Sequence, residues 1–200
     1  MAALALADLA AIFDDLQCTL ACCERLVAEL ETAADPVALE AFWTTAVLSY
    51  GRCFSAGARG VGLTEKDITA TELAGEVIGW HRSVLKIRDH YAGAANPREN
   101  FSVGAAPNDF GKAEGVAVTS VRRPPVDDVS VRQTGAIAYA LCRLVDGRIA
   151  EQQQVVFTAA AALSRKEMAA LPAVEVTHET PPAATTADDE PQAPEAAPSA

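Results

Sequence analysis

The side chains best suited to chemistry lie close together near the middle of this 200-residue chain. Arg88, Asp89 and His90 are consecutive, and His81 precedes Arg88 by seven positions. Arginine can hold a phosphate or a carboxylate through its planar fork, and histidine can act as acid or base near neutral pH. These four residues are therefore the candidate catalytic residues.

The geometry of a helix decides which of these side chains could act together. Near neighbours in sequence do not share a helix face, so Arg88 and His90 are expected to diverge. His81 and Arg88 are two turns apart and are expected to lie at the edge of one apolar face. An alternative interpretation needs no chemistry: Arg88 and His90 complement the negative end of the helix dipole, and Asp89 pairs locally.

The helix that must position these residues is predicted over residues 69–91. Thr69 and Glu72 fit a capping box, in which each side chain satisfies an amide that the first turn leaves free. Gly93 is suited to end the helix. Between these limits, apolar residues recur at spacings of three and four and form one stripe: Leu73, Val77, Trp80, Val84, Ile87 and Tyr91.

Two more helices are predicted before this one. Apolar residues with alternating spacings of three and four run through residues 6–30, which is typical of bundle packing in the same chain or across a dimer. Asp35 and Pro36 can begin the second helix as its N-cap and first residue. We expect this helix to end around Gly57 and Arg59 to face solvent at its end.

The remaining pattern completes the fold class. Short alternating runs near residues 101–103 and 116–121 predict a small β-hairpin. A last long helix is predicted over residues 129–163, which Gly147 is expected to bend or interrupt. The fold class is therefore mainly α: a helical bundle of about four helices, with a small β-hairpin between the third and the last helix.

Charge and composition divide the chain and exclude some functions. The net charge is −11. Residues 173–200 contain acids, proline and alanine but no lysine or arginine, and such a segment cannot bury enough surface to offset its conformational entropy. We therefore expect a helical domain over residues 1–170 and a disordered acidic tail over residues 171–200. An acidic chain is not expected to bind DNA.

Location and cofactors follow from features that the sequence lacks. The first residues have no basic stretch, and no apolar run is long enough for a bilayer, so a cytoplasmic protein without a membrane partner is expected. Cys18, Cys22 and Cys23 could suggest a metal or redox site. We interpret them as buried small hydrophobes, because their spacing is not tied to histidines. No metal and no cofactor are predicted.

Several runs of the sequence together follow the pattern of a known family. They are Phe42-Trp43, Ser49-Tyr50-Gly51-Arg52-Cys53-Phe54-Ser55, His81, and Ile87-Arg88-Asp89-His90-Tyr91-Ala92-Gly93-Ala94 with Asn96 and Pro97. Over residues 35–163 the chain resembles the HEPN-like domains of the abortive-infection (Abi) type. This resemblance implies an all-helical bundle, usually a homodimer, and RNA cleavage without a metal at a site composed from two subunits. It also implies a role in defence or in a toxin-antitoxin system.

The chain departs from this family's signature at one position. Arg88 and the polar Asp89 match, but the signature histidine falls near Ala94 or Ala95, and alanine cannot transfer a proton. We therefore expect a catalytically degenerate member that acts as a binding or interaction module, with RNA or a protein as partner. One alternative is an active ribonuclease that uses Arg88 with His90 or His81. Another is an unrelated structural helical bundle.

Overall fold

The predicted fold class is confirmed by a computed structural model of the chain. It describes residues 1–32, 35–55, 57, 59–93, 100–121 and 126–171. In these ranges four long helices, two short helices and one two-stranded sheet are present. In chain order the elements are α1 (Ala2–Glu31), α2 (Pro36–Cys53), α3 (Glu65–Thr69), α4 (Val77–Ala92), β1 (Asn100–Pro107), β2 (Ala113–Val121), α5 (Asp128–Ala161) and α6 (Arg165–Ala169).

Helix α1 packs against both α2 and α5, and α4 packs against the same two helices. The apolar stripe of α1 supplies much of the core, since Ile12, Leu16 and Leu26 are fully buried. Phe13 and Leu20 are partly buried against the same core. The sequence predicted that this stripe packs either within the same chain or across a dimer. Packing within the same chain accounts for these residues.

The predicted start of α2 is confirmed. The Asp35 carboxylate accepts a hydrogen bond from the Val37 amide at 3.0 Å, and Pro36 occupies the first turn, where its missing N–H costs nothing. The helix ends at Cys53, earlier than the predicted end near Gly57.

The predicted start of the third long helix is wrong. Thr69 is the last residue of α3, and the chain then turns through Glu72 and Gly75, whose φ angles are +56° and +96°. The capping box that forms is that of α3, where Asp67 accepts a hydrogen bond from the Thr64 amide at 2.6 Å. The capping pattern occurs twice within nine residues, and the positive φ angles prevent the second from continuing into α4.

Loop residues between α2 and α3 are held by two acids of α1. Asp8 accepts hydrogen bonds from the amides of Gly60 and Val61 at 2.9 and 3.2 Å. The Arg59 guanidinium lies 2.6 Å from a carboxylate oxygen of Asp15, which is buried. The expectation that Arg59 faces solvent is therefore wrong, because a buried carboxylate on α1 requires a cation.

The predicted hairpin is confirmed as an antiparallel pair of β1 and β2, in which Val103 lies opposite Val118. Its turn is closed by Asn108, whose side-chain oxygen accepts hydrogen bonds from the Phe110 and Lys112 amides, both at 3.0 Å. Gly111 has a φ of +72°, a conformation that favours glycine.

Helix α5 begins at an N-cap, because the Asp127 carboxylate accepts from the Ser130 amide at 2.9 Å. It continues through Gly147, so the expected interruption there is wrong. No helix in the described ranges has the length and apolar composition to cross a membrane.

The chain divides into two compact units, Met1–Ala162 and Leu163–Ala200. The first contains α1 to α5 and the hairpin. In the second, α6 has a capping box, in which Ser164 accepts from the Glu167 amide at 3.3 Å. The predicted acidic tail, apart from residue 171, lies outside the described residues.

Candidate functional site

All four candidate residues lie on α4, on the side of the bundle where α4 meets the C-terminal half of α2. His81 and Arg88 both reach α2 side chains or backbone, as their common face predicts. The other two, Asp89 and His90, occupy the last turn of the helix. The site is therefore built from α4, the C-terminal part of α2 and Ser55, which follows that helix.

The imidazole of His81 lies inside the protein, with 2% of its surface exposed. Its Nδ1 is 2.8 Å from the hydroxyl oxygen of Tyr50, in a hydrogen bond whose donor depends on the histidine tautomer. The Phe54 ring packs against it at a centroid distance of 4.4 Å. An aromatic pocket thus encloses the histidine and supplies one polar partner.

Burial lowers the pKa of His81 below its usual value of 6.5, and the nearby charges of Arg82 and Arg88 lower it further, while Glu65 opposes them. Burial also raises the pKa of Tyr50, which keeps its hydroxyl protonated. Both groups are therefore neutral near pH 7, and the contact between them is a hydrogen bond between neutral groups.

The Arg88 side chain lies directly on the backbone of α2. If Gly51 carried a β-carbon, that atom would be 2.1 Å from Cδ of Arg88. The Nη1 group donates to the Gly51 carbonyl oxygen at 3.3 Å and to the Ser55 hydroxyl at 3.4 Å. The lack of a side chain at Gly51 therefore creates the space in which the arginine lies.

The remaining face of the guanidinium binds the adjacent acid. Nε and Nη2 of Arg88 donate to one carboxylate oxygen of Asp89 at 2.9 and 2.5 Å. The arginine side chain is 23% exposed and the aspartate side chain 66% exposed. The local pairing of Asp89 that the sequence suggested is thus present, and Asp89 is the more exposed member of the pair.

His90 occupies a different environment from the other candidates. It is half-buried, and its ring meets that of Tyr91 edge-on at a centroid distance of 6.1 Å. Within the described ranges, no hydrogen bond or ion pair joins His90 to Arg88 or His81. The structure therefore brings Arg88 together with Asp89, and it brings His81 on α4 together with Tyr50 on α2.

Sequence reasoning missed what holds these groups. Tyr50, Gly51 and Ser55 belong to the run that carries the family resemblance, but no local pattern assigned them contacts with α4. One local signal was present: Gly51 lies between Tyr50 and Arg52 inside a strong helical pattern. A glycine inside a helix often allows another part of the chain to pack closely against it.

The chain also contains five cysteines. Cys22, Cys23, Cys53 and Cys142 are buried and Cys18 is half-buried, all with free thiols. Burial raises the pKa of Cys22 to about 11 and that of Cys23 to about 12. These thiols stay protonated at neutral pH, which makes them poor nucleophiles. Among the residues that the structure describes, no group of three or more histidine, cysteine or acidic side chains could hold a metal ion.

Comparison of the chain with models of protein families, with curated proteins and with solved structures finds no match.

Proposed function

We propose that this protein is a HEPN-like helical interaction module without efficient catalysis of RNA cleavage. The observation that carries the proposal concerns two of the candidate catalytic groups, the imidazole of His81 and the guanidinium of Arg88. Both are already bound to other groups of this protein. The imidazole of His81 is hydrogen-bonded to Tyr50. The guanidinium of Arg88 is hydrogen-bonded to Gly51, Ser55 and Asp89. A general acid or base must reach the proton that it transfers, and His81 is 2% exposed.

The position of the family's signature histidine supports the same proposal. It falls at Ala94 or Ala95, where the side chain has no proton to give. His90 is the nearest imidazole to Arg88 in sequence, but the last turn of α4 directs it toward Tyr91. Catalysis depends on positioning to within about an ångström, so a substitute histidine two positions from the arginine is a poor replacement.

The proposed module acts as a cytoplasmic homodimer that binds RNA or a protein partner, in defence or in a toxin-antitoxin system. The resemblance to the HEPN-like family supplies this expectation. An arginine and an exposed acid at one helix end could still contact a partner without chemistry, because Asp89 is largely exposed. The Arg88 and Asp89 pair would then contribute to recognition.

Cleavage of RNA in the presence of EDTA tests the proposal. Purified protein is compared with Arg88→Ala and with the matched control Arg82→Ala, whose guanidinium pairs with Glu65 on the exposed surface. We expect no cleavage by any of the three proteins. Metal-independent cleavage by the parent protein that is lost in Arg88→Ala but kept in Arg82→Ala would instead establish an active ribonuclease.

The His90→Ala and His81→Ala variants then separate the two forms of the ribonuclease alternative. Loss of cleavage in His90→Ala alone would identify His90 as the imidazole that acts with Arg88. Loss in His81→Ala alone, with the helical content unchanged by circular dichroism, would mean that the pocket around His81 opens in solution.

A further inference from the structure

A cavity of about 170 Å³ lies between the first turn of α4, the turn that precedes this helix and the N-terminal part of α5. Its walls are mainly apolar, with Leu73, Val77 and Trp80 on one side and Ala136 and Ile137 on the other. An apolar cavity of about 150 Å³ holds one benzene ring. This cavity therefore has room for a single ring or for a branched alkyl group of similar size.

Two polar side chains, those of Glu76 and Gln133, line the same cavity. Within the described chain neither side chain has a hydrogen bond or an ion pair. Glu76 is the N-cap residue of α4, but its side chain accepts no hydrogen bond from the first turn. A β-carbon on Gly79 would lie 3.8 Å from Oε2 of Glu76, so the carboxylate lies along that first turn. The carboxylate and the amide are thus available to a ligand in the cavity.

Trp80 contributes the surface of its ring and no polar group. Its Nε1 donates to the Thr134 hydroxyl at 3.1 Å, so the indole N–H is already used inside the bundle. The π-system of a tryptophan ring attracts a cation, and a carboxylate accepts a strong hydrogen bond from an ammonium group. The Trp80 ring and the Glu76 carboxylate therefore favour the same kind of ligand, a cation with an apolar body.

The other charges near the cavity leave this preference in place. Arg132, the cation next to Gln133 in sequence, is paired with Asp128 and does not neutralise Glu76. The N-terminus of α4 opposes a cation, but it carries about half a charge, whereas the Glu76 carboxylate carries a full one. The net charge of the chain, −11, also attracts cations.

The polarity of the cavity orients its ligand. Glu76 and Gln133 are exposed, whereas Ile137 is buried and Trp80 is half-buried. A ligand therefore places its apolar part inside and its charged end at the opening. The side chain of a lysine would enter with its charge first, in the opposite sense, so a free small molecule fits this cavity better than a peptide.

We propose that this cavity binds a small primary ammonium compound that carries one apolar ring or a branched alkyl group of similar size. The ammonium group donates to the Glu76 carboxylate and to the side-chain oxygen of Gln133. The apolar group lies against Trp80 and Ile137. The inference does not depend on the proposed function, because the cavity lies at the opposite end of α4 from Arg88.

An NMR titration of the isotope-labelled full chain with phenethylamine tests the proposal. The chain has two tryptophans, and the indole N–H signal of Trp80 reports on the cavity. Trp43, which is 5% exposed and does not line the cavity, is the internal reference. The Trp80→Phe variant assigns the two signals. Phenethyl alcohol and hydrocinnamate are the matched ligands, with the same ring but a neutral or an anionic end.

We expect phenethylamine to shift the Trp80 signal to saturation and to leave the Trp43 signal unchanged. Phenethyl alcohol should bind about tenfold more weakly, and hydrocinnamate should bind more weakly still. Glu76→Gln should weaken phenethylamine binding about tenfold, because it removes the charged acceptor. The matched control Glu72→Gln removes the same charge from the same turn, outside the cavity lining, and should change the affinity by less than about twofold.

Three results would overturn the proposal. Equal affinity for the amine and the alcohol would show that the cavity takes any apolar ring and does not recognise charge. Equal weakening by Glu72→Gln and Glu76→Gln would mean that the amine responds to the overall charge of the turn and not to one carboxylate. If phenethylamine does not shift the Trp80 signal, the cavity does not accept a ring in solution.

Discussion

The stem of Arg88 occupies the space where Gly51 lacks a side chain, so that a β-carbon at position 51 would lie 2.1 Å from Cδ of the arginine. This contact fixes how α4 meets α2 and where the guanidinium lies. It joins two residues 37 positions apart in the chain. The candidate site therefore depends on a helix–helix packing detail as much as on the chemistry of its side chains.

Gly51→Ala is expected to lower the free energy of unfolding by about 1–3 kcal/mol, which is the usual cost of overpacking. Urea unfolding measures it. Gly147→Ala is the control, because glycine 147 also lies inside a helix but has nothing within 4 Å of a β-carbon. There the substitution should stabilise by roughly 0.5–1 kcal/mol. If Arg88→Ala is made first, Gly51→Ala should lose most of its cost; a cost that persists would show that the arginine is not the cause.

The stability of the protein should depend on pH through His81. Its pKa is lowered in the folded state, so the unfolded chain binds a proton more readily. The neutral imidazole makes its full contribution to the free energy of unfolding at pH values above 6.5, the usual pKa of histidine. This contribution is lost as the pH falls below that value. Stability should therefore rise with pH in this window, with a slope of at most about 1.4 kcal/mol per pH unit.

Urea unfolding between pH 5 and 8 measures this dependence in the parent protein, in His81→Phe and in the control His90→Gln. The slope should disappear in His81→Phe and remain in His90→Gln. Glu65, which faces His81, has a pKa lowered mainly by its hydrogen bond with Arg82, so its own contribution is lost at lower pH. An unchanged slope in His81→Phe would mean that another group titrates.

Trp80 links α4 to α5 by packing and by one hydrogen bond, in which its Nε1 donates to the Thr134 hydroxyl at 3.1 Å. Trp80→Ala should cost about 3 kcal/mol, because it removes a large side chain that packs against the core. Trp80→Phe should cost about 1 kcal/mol, since the ring remains but the fully buried Thr134 loses a partner. Equal and small costs for both variants would indicate that the indole contributes little to packing.

Arg148 on α5 holds the short helix α3 by an ion pair with Asp67, which is buried. Burial alone would raise the pKa of Asp67, but the Arg148 and Thr64 hydrogen bonds lower it overall. Arg148→Ala should cost about 2 kcal/mol, because it removes a partner from a buried carboxylate. Arg132→Ala, which breaks an exposed pair with Asp128 within α5, should cost less than about 0.5 kcal/mol. Thermal or urea unfolding of the two variants compares them, and equal costs would contradict a structural role for the Asp67 pair.

Local signals predicted much of the fold because they act within a few residues. The Asp35 and Pro36 start of α2 depends on a side chain reaching an amide two positions away. The hairpin depends on the alternation of its strands and on a turn closed by Asn108. The start of α4 was missed because two capping patterns lie close together, and the φ angles of Glu72 and Gly75 that decide between them are not visible in the residue types.

By itself the sequence determined that the chain is mainly helical, which residues form the apolar stripes, and that four polar residues share one helix. Only the tertiary structure decided that the imidazole of His81 is enclosed by Tyr50 and Phe54 and that Arg88 lies on Gly51. The physical reason is the separation along the chain between the residues that make each kind of contact. Helices and turns follow from contacts between neighbours in sequence. Burial, pKa and hydrogen-bond partners at this site depend instead on contacts between α2 and α4. The residues in these contacts, Tyr50 with His81 and Gly51 with Arg88, are more than thirty positions apart in the chain.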